Sequence, residues 1–290
     1  MSTLKQGARG AQVIELQQAL VAKGYTTVVA DGIFGAGTAA AVRDYQKNSG
    51  LVVDGIVGEQ TLNTLRGIER INNPKTLQQA DFQAAADMLG VDVASIMAVT
   101  EVEARKSGFY PEGEPIVLFE RHKLYKYISE KRGAGVAKHA CAQNPNLCNP
   151  YRGGYIGGRS EWFRLQNACA IDRECALMSA SFGLFQIMGF NHIYSGFDKV
   201  EDFVAAISTS EATQLQVFCS FVLHKKNESM LAALRAHNWD AFAELYNGQN
   251  YKDNDYDYKL MAAYRRYVAL YPATSSALAA NRKSAKAKTA

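Results

Sequence analysis

Apolar residues in the first part of the chain recur at helical spacing. Three short segments each place hydrophobic side chains on one face of a helix: Val13, Leu16 and Leu20; Ala41, Val42 and Tyr45; Leu62 and Leu65. A spacing of three to four residues between apolar positions is typical of an amphipathic α-helix. We therefore predict three short helices that pack into a small bundle spanning residues 1–66.

An eight-residue pattern separates these predicted helices and occurs twice, at residues 31–38 and 54–61. Both copies read D-G-I-x-G-x-x-T in single-letter code. Glycine tolerates the positive φ angles that a tight turn needs, and a threonine hydroxyl can cap the start of a helix. Each copy is therefore predicted to be a tight turn whose threonine, Thr38 or Thr61, caps the helix that follows.

A second and longer region of helical periodicity follows a polar linker. Its first helix ends at Gly90, because glycine favours the left-handed conformation found at helix C-termini. Asp92 is predicted to cap the next helix, which extends from Val93 to about Ala104. The pattern predicts a mainly α protein in four parts. These are a small helical bundle at 1–66, a linker at 67–77, a larger helical domain at 78–272 and a tail at 273–290.

Two glutamates near the end of that second helix differ in their predicted surroundings. Glu103 shares a helix face with Ile96 and Val99. Glu101 has Arg105 four residues ahead, which is typical of a solvated ion pair. A carboxyl group pressed against apolar surface has a raised pKa and stays protonated near neutral pH, as an acid for glycosidic cleavage must. The pattern thus favours Glu103 as a catalytic acid, with a surface ion pair as the alternative.

Three further segments carry polar side chains next to apolar ones. Glu120 follows an apolar run, Gln186 is predicted to be buried among apolar neighbours, and Tyr246 and Asn247 precede a glycine. Tyrosine, asparagine and glutamine hydrogen-bond to sugar hydroxyl and N-acetyl groups, and an aromatic face stacks on a sugar ring. The alternatives are structural: an ion pair of Glu120 with Arg121 or another arginine, a glutamine satisfied by backbone, and an ordinary turn.

The composition is that of a globular protein with a basic end. Of 290 residues, 48% are hydrophobic and 21% are charged, which excludes a largely disordered or fibrous chain. The net charge of +4 equals the contribution of four basic residues after position 281, so residues 273–290 are predicted to be a disordered tail. Such a tail either solubilises the protein or attracts a polyanion. No basic stripe with interleaved aromatic residues indicates a specific nucleic-acid site.

Two features bear on the compartment in which the protein works. Residues 1–7 lack the apolar stretch of a signal peptide, and no apolar run is long enough for a membrane span, so we expect synthesis in the cytosol. The five cysteines are Cys141, Cys148, Cys169, Cys175 and Cys219. The first two and the next two can close small disulfide loops in an oxidising compartment, or all five stay thiols. No C-x-x-C pair is present, and a metal site that includes His139 is a further alternative.

The repeated turns and the residues around them resemble the peptidoglycan-binding domain type 1 family. The resemblance rests on D-G-x-F-G-x-x-T from Asp31, V-x-x-Y-Q from Val42 and D-G-x-V-G from Asp54, together with the earlier segments L-K-Q-G and V-x-x-L-Q. It implies a cell-wall-binding module whose signature positions include Asp31, Gly32, Phe34, Asp54 and Gly55. The module contains no histidine and few acid–base groups, which is typical of a binding domain.

The motifs of the second region together resemble the N-acetylmuramidase family found in modular phage endolysins, within the lysozyme-like superfamily. The landmarks are V-E at 102–103, G-F at 108–109, L-F-E-R-H at 118–122, S-F-G-L-F-Q-I-M-G at 181–189 and Y-N-G at 246–248. The resemblance implies a lysozyme-like, mostly helical domain with Glu103 as the acid and Gln186, Tyr246 and Asn247 along the cleft. This chain departs from the family pattern at Ala104, often serine, and at Phe182, a tryptophan in the family.

The two resemblances imply an endolysin that binds peptidoglycan, hydrolyses the MurNAc-β-1,4-GlcNAc bond and lyses its host. Glu103 would protonate the leaving oxygen, and Glu120 is the candidate second carboxylate that orients water or stabilises the transition state. No metal or organic cofactor is expected. We expect a monomer that waits in the host cytoplasm until a holin opens the membrane to the periplasm.

Three other functions stay open at this point. A lytic transglycosylase uses a single glutamate and forms a 1,6-anhydroMurNAc product. A wall-binding component of a phage particle would have no catalytic activity. A zinc peptidase or amidase is a third alternative, although the histidines show no H-E-x-x-H or similar spacing.

Overall fold

Helices dominate the structure, a computed structural model that describes residues 3–67, 76–104, 107–248 and 251–271. The mainly α fold expected from the sequence is confirmed. The first part contains α1 (Ala11–Ala22), α2 (Ala36–Asn48) and α3 (Glu59–Leu65). Most of the predicted linker, the predicted tail and Arg105 lie outside the described residues.

The three N-terminal helices enclose a hydrophobic core of their own. Its fully buried members are Val13, Leu16, Leu20, Phe34, Ala39, Val42 and Val57. Isolated antiparallel bridges join Leu4 to Val57 and Arg9 to Ile33, so the start of the chain lies against both repeat turns. The helical stripes predicted from the sequence therefore do face a common interior.

α2 and α3 begin before the threonines that were predicted to cap them. Their N-cap residues are Gly35 and Gly58, which make no side-chain cap. Thr38 and Thr61 lie within the first turn of each helix and are buried. The prediction of threonine caps is wrong, because each hydroxyl is turned inward to a buried glutamine side chain described below.

The second part is larger and contains a second hydrophobic core. Its helices are α4 (Gln79–Leu89), α5 (Val93–Glu103), α6 (Arg121–Arg132), α7 (Ala134–Gln143), α8 (Ser160–Cys169), α9 (Arg173–Met178), α10 (Val200–Ile207), α11 (Glu211–Leu223), α12 (Glu228–Arg235), α13 (Trp239–Asn247) and α14 (Tyr256–Leu270). Short 3₁₀ turns occupy Gly189–Asn191, Ile193–Ser195, Lys225–Asn227 and Tyr251–Asn254.

α5 runs through the middle of this second core. Asp92 caps it as predicted, since its carboxylate accepts a 2.7 Å hydrogen bond from the backbone N–H of Ser95. Gly90 ends α4 in the left-handed conformation, at φ 65°, which is also as predicted. Every residue from 94 to 99 is buried, and α4 and α14 pack against the helix. The rigid setting of α5 fixes the position of its last residue, Glu103.

A small antiparallel sheet lies beside the helices. Its strands are β1 (Val117–Phe119), β2 (Ala180–Phe182) and β3 (Ile187–Met188), in the order β1-β2-β3. Leu118 pairs with Ser181, and Ser181 pairs with Met188. Directly opposed residues on neighbouring strands point to the same face. Leu118, Ser181 and Met188 therefore share one face, while the alternate residues of β1 turn into the core.

The second repeat turn contacts the larger part of the protein. The hydroxyl of Tyr271 lies 3.0 Å from the carbonyl oxygen of Val53 and 2.9 Å from a side-chain oxygen of Gln79. Val52 packs against the second core. Among the described residues, no single helix has both the length and the hydropathy of a membrane span. Only α4 and α5 taken together meet that test, and the pair is bent by 110°.

Candidate active site

Glu103 ends the buried helix α5 and meets the end of α13. The side-chain amide of Asn247 donates a 3.0 Å hydrogen bond to Oε1 of Glu103. Both side chains are half-buried, and Asn247 is the last residue of α13 before Gly248, whose φ of 82° ends the helix. The structure therefore brings together two residues that lie far apart in the sequence and that were both predicted for the site.

Glu101, two residues earlier on α5, has a different role. Its two carboxylate oxygens each lie 2.6 Å from Nη2 of Arg266, and the hydroxyl of Tyr267 donates a 2.9 Å hydrogen bond to Oε2. The described partner is thus on α14, not the Arg105 that local spacing suggested. Glu101 is therefore tied to α14, whereas Glu103 contacts the end of α13.

Tyr246, the residue before Asn247, connects the end of α13 to the hairpin of the sheet. Its hydroxyl donates a 2.8 Å hydrogen bond to the carbonyl oxygen of Phe185, and its ring lies edge-on to that of Phe218. Phe185 and Phe218 are stacked with ring centroids 4.5 Å apart. Burial, together with the negative charge of Glu103, raises the pKa of Tyr246 well above its ordinary value. The residue therefore acts as a neutral hydrogen-bond donor.

Gln186 lies in the turn between β2 and β3 and is exposed. The prediction that it is buried is wrong, because its φ of 48° turns the side chain away from the core that its apolar neighbours enter. Its amide is held in place: Oε1 accepts a 2.9 Å hydrogen bond from Ser181, and Nε2 lies 2.8 Å from the carbonyl oxygen of Gly183. Left-handed non-glycine residues of this kind concentrate at functional sites.

Gln214, a buried residue that no sequence pattern indicated, contacts both the β2–β3 hairpin and the segment at Gly108. Gln214 of α11 accepts a 2.7 Å hydrogen bond from the backbone N–H of Leu184 and donates a 2.9 Å bond to the carbonyl oxygen of Ile207. A Cβ atom added at Gly108 or at Gly183 would collide with the side chain of Gln214. Both glycines are thus needed for the close approach of Gln214 to the hairpin and to the segment that follows Glu103.

Glu120 lies at the opposite end of β1 from Gln186. The hydroxyl of Tyr155 donates a 2.7 Å hydrogen bond to Oε2 of Glu120, and Nδ1 of His122 lies 3.1 Å from the same atom. Burial lowers the pKa of His122, although the charge of Glu120 acts in the opposite direction. Arg121, named earlier as a possible partner, instead donates to backbone carbonyl groups of the loop at 145–152.

Two known protein families match this chain. The N-acetylmuramidase family matches residues 92–268, which is more than half of the chain, and a peptidoglycan binding domain family matches residues 9–65. The chain belongs to the N-acetylmuramidase family. A match to a peptidoglycan-binding module thus precedes the muramidase domain, as the sequence resemblance implied.

A solved structure supports the same assignment for nearly the whole chain. The Burkholderia AP3 phage endolysin superposes with a TM-score of 0.85 at 45% sequence identity, over 92% of this muramidase and 100% of that chain. Curated relatives match over short segments only. The spore cortex-lytic enzyme of Bacillus cereus is 45% identical over 62 residues, 21% of this chain and 24% of the relative. The amidase CwlL of Bacillus licheniformis is 43% identical over 67 residues, 22% of this chain and 19% of the relative. The chain thus spans about a quarter or less of these relatives.

The signature residues of the muramidase's binding module form its turns. Nε2 of Gln17 lies 2.9 Å from Asp31 Oδ1, and Oε1 of Gln17 accepts a 2.9 Å hydrogen bond from the N–H of Gly32. Gln46 makes the same two contacts with Asp54 and Gly55, at 2.7 and 2.9 Å.

These contacts explain why the pattern repeats. Each glutamine also reaches the threonine of its own copy, and both glutamines are almost completely buried. Phe34 is fully buried and serves the core. The wall-binding positions named from the resemblance therefore support the shape of the module. A cavity of about 130 Å³ between α1 and α3, lined by Leu16, Leu62, Leu65 and Arg66 among others, is an alternative place for a ligand.

The cysteines of the muramidase are thiols in this structure. All five are free, and three of them are buried. In the described parts of the chain, no group of three or more histidine, cysteine, aspartate and glutamate side chains is arranged to hold a metal ion.

Proposed function

We propose that this muramidase hydrolyses the MurNAc-β-1,4-GlcNAc bond of peptidoglycan. The observation that carries the proposal is the position of Glu103, which a buried helix holds rigidly and which Asn247 contacts at 3.0 Å. A single half-buried carboxyl in this setting can deliver a proton to a glycosidic oxygen. The family match supports the same reaction class.

The neighbouring residues have distinct parts in the proposed reaction. Asn247 orients the carboxyl of Glu103 through its amide. Tyr246 fixes the end of α13 to the hairpin, because its hydroxyl bonds to the carbonyl oxygen of Phe185. Gln186 presents a fixed and exposed amide, which suits hydrogen bonding to sugar hydroxyl or N-acetyl groups. No organic cofactor enters this scheme.

Glu120 is the proposed second carboxylate, which would orient water or stabilise the positive charge of the transition state. Its contact with Tyr155 holds the group in one place. A lytic transglycosylase is the second candidate function, because Glu120 and Glu103 belong to separate sets of contacts and that reaction needs only the acid.

Replacing each of the two glutamates of α5 with glutamine tests which of them is the acid. We expect Glu103→Gln to reduce the release of dye-labelled peptidoglycan by about 10²–10⁴-fold, because proton donation is lost. Glu101→Gln is the matched control. It should retain activity within a few-fold while lowering the melting temperature, since its contacts are with Arg266 and Tyr267. Loss of activity in Glu101→Gln alone would overturn the assignment.

The product distinguishes the two candidate reactions. Mass spectrometry of the released muropeptides should find reducing MurNAc ends if water attacks. It should find 1,6-anhydroMurNAc if the sugar's own hydroxyl attacks. We expect Glu120→Ala to lower hydrolysis strongly, though less than Glu103→Gln does. Full activity of Glu120→Ala would remove the second carboxylate from the mechanism and leave wall lysis in place.

We further propose that the protein acts as an endolysin of a phage. It would accumulate as a monomer in the host cytoplasm and reach the wall in the periplasm after a holin opens the membrane. The similarity to the Burkholderia AP3 phage endolysin supports this proposal. Cells that express the protein should lyse only after their membrane is permeabilised, whereas cells expressing Glu103→Gln should stay intact under the same treatment.

A further inference from the structure

A glycine-rich loop between α7 and α8 exposes several large side chains beside Glu120. We name residues 150–158 the aromatic loop. Within six residues it presents Tyr151, Tyr155 and Ile156, which are 76%, 46% and 69% exposed. Single exposed hydrophobic residues are ordinary, but a group of them indicates a binding surface.

The backbone of the aromatic loop is held by Arg121, the residue next to Glu120. Its guanidinium donates 3.0 Å hydrogen bonds to the carbonyl oxygens of Tyr151 and Arg152. A Cβ atom added at Gly154, where φ is 77°, would lie 2.8 Å from Nη1 of Arg121. The arginine therefore fills the space under the loop, and only glycine permits this close approach.

A buried ion pair holds the other half of the aromatic loop. Glu161 is almost completely buried and accepts hydrogen bonds of 2.7 and 3.0 Å from the N–H groups of Ile156 and Gly157. Its other oxygen lies 2.6 Å from Nη1 of Arg164. Burial alone would raise the pKa of Glu161, but these N–H groups and Arg164 hold it below its ordinary value. The charged carboxylate thus fixes a loop whose side chains face solvent.

The aromatic loop meets the face of the sheet that turns away from the core. Glu120 follows Leu118 by two residues, so the two point to the same side of β1 as Ser181 of β2. Ser181 bonds to Gln186, and Glu120 bonds to Tyr155. Gln186, Ser181, Glu120 and the aromatic loop therefore lie along one surface. The five residues from 116 to 120, four steps of extended chain, cover about 13 Å along it.

We propose that the aromatic loop is a sugar subsite of the muramidase, in which Tyr151 and Ile156 pack against a ring or N-acetyl group of the glycan strand. The proposal rests on the proposed function and adds the place where the strand extends beyond the acid. A rigid backbone with exposed aromatic faces suits a sugar ring, because little side-chain and loop ordering is needed on binding. Because the loop lies on the same surface as the polar side chains of Gln186 and Glu120, a glycan strand is favoured over a purely apolar partner.

The test uses the full chain and substitutes exposed side chains for which no contact with Glu103 or Glu120 is described. Tyr151→Ala and Ile156→Ala are compared with Tyr258→Ala, a matched control because Tyr258 is 65% exposed on α14. Initial rates are measured on soluble, uncross-linked glycan fragments to give kcat and KM separately. Each loop variant should raise KM by about 2- to 10-fold, the effect of one aromatic or apolar contact, with kcat nearly unchanged. Tyr151→Trp should keep KM near that of the native protein.

A binding measurement separates this proposal from the proposed reaction. Calorimetric titration of the same glycan fragments into Glu103→Gln, with and without Tyr151→Ala, needs no turnover. Weaker binding with Tyr151→Ala supports the subsite whatever bond the enzyme cuts. Equal KM and equal affinity for Tyr151→Ala, Ile156→Ala and Tyr258→Ala would overturn it. A fall in kcat with unchanged KM would also overturn it, since that result assigns the loop to the positioning of Glu120.

Discussion

The two copies of D-G-I-x-G-x-x-T have the same local structure and different surroundings. In both turns a buried glutamine contacts the aspartate, the glycine N–H and the threonine. The first turn, at Asp31, faces solvent. The second, at Asp54, lies where Tyr271 reaches Val53 and where Val52 packs against the muramidase core. The repeat therefore defines the shape of a turn, whereas the residues around the turn determine the pKa of its aspartate.

The two aspartates show this difference directly. Hydrogen bonds from the N–H of Ile33 and from Gln17 lower the pKa of Asp31. Asp54 accepts equivalent bonds, but its burial outweighs them and raises its pKa to about 6, with a smaller contribution from the negative charge of Glu101. Asp54 is therefore the one of the two aspartates whose charge changes near neutral pH.

The largest expected effect comes from removing the buried glutamines. Gln17→Leu and Gln46→Leu should each lower the free energy of unfolding of the N-terminal module by about 2–4 kcal/mol, because buried N–H and carbonyl groups lose their partners. Hydrogen exchange across residues 11–65 measures this loss. Gln18→Leu, at the exposed neighbour on α1, is the control. Only Gln46→Leu should also increase exchange around Tyr271. Equal effects of the two variants there would show that the second turn is not the one coupled to the larger domain.

The next effect is smaller and depends on pH. Because its folded pKa is raised, Asp54 contributes stability that is present below about pH 4 and lost as the pH rises through about 6. Asp54→Asn keeps the acceptor oxygen and should therefore stabilise the protein by about 1–2 kcal/mol at pH 8, with no gain at pH 4.

Asp31→Asn should behave in the opposite way, since its folded pKa is lowered. Its stabilising contribution is present above about pH 4 and lost as the pH falls further, so the variant should lose stability at pH 8 and not at low pH. Melting temperatures of both variants at pH 4, 6 and 8 check the pair. Parallel pH profiles for the two variants would show that the surroundings do not distinguish the turns.

The features that the sequence predicted correctly depend on short-range chemistry. Asp92 caps α5 through an N–H three residues away, and Gly90 ends α4 within one turn, so both are visible in a local pattern. Glu103 was singled out because its helix face is apolar, and its catalytic role stays a prediction. Its contact with Asn247 was expected only from the family resemblance, since 144 residues separate the two.

The features that were missed depend on contacts between distant segments. Local spacing suggested Arg105 for Glu101, but the described partner is Arg266, 165 residues away. The three strands have two or three residues each, which is too short for an alternating pattern to be recognised. Gln186 was predicted to be buried because its neighbours are, yet one left-handed residue turns it outward. No pattern in a single sequence indicates Gln214 as the support of the hairpin.

The smallest expected effect is at the contact that makes the two turns different. Tyr271→Phe removes a hydroxyl 3.0 Å from the carbonyl oxygen of Val53 and should cost about 1 kcal/mol. Amide exchange at residues 52–56 should then be about fivefold faster, while exchange at the first turn is unchanged. Tyr25→Phe is the control, because the hydroxyl of Tyr25 bonds to Asp44 inside the module at 3.0 Å. If Tyr25→Phe and Tyr271→Phe change exchange at residues 52–56 equally, the interdomain bond does not stabilise the second turn. If only Tyr271→Phe speeds exchange at residues 52–56, and does so more at pH 8 than at pH 5, two effects act on the same contact. The hydrogen bond of Tyr271 strengthens that contact, and the charge of Asp54 weakens it.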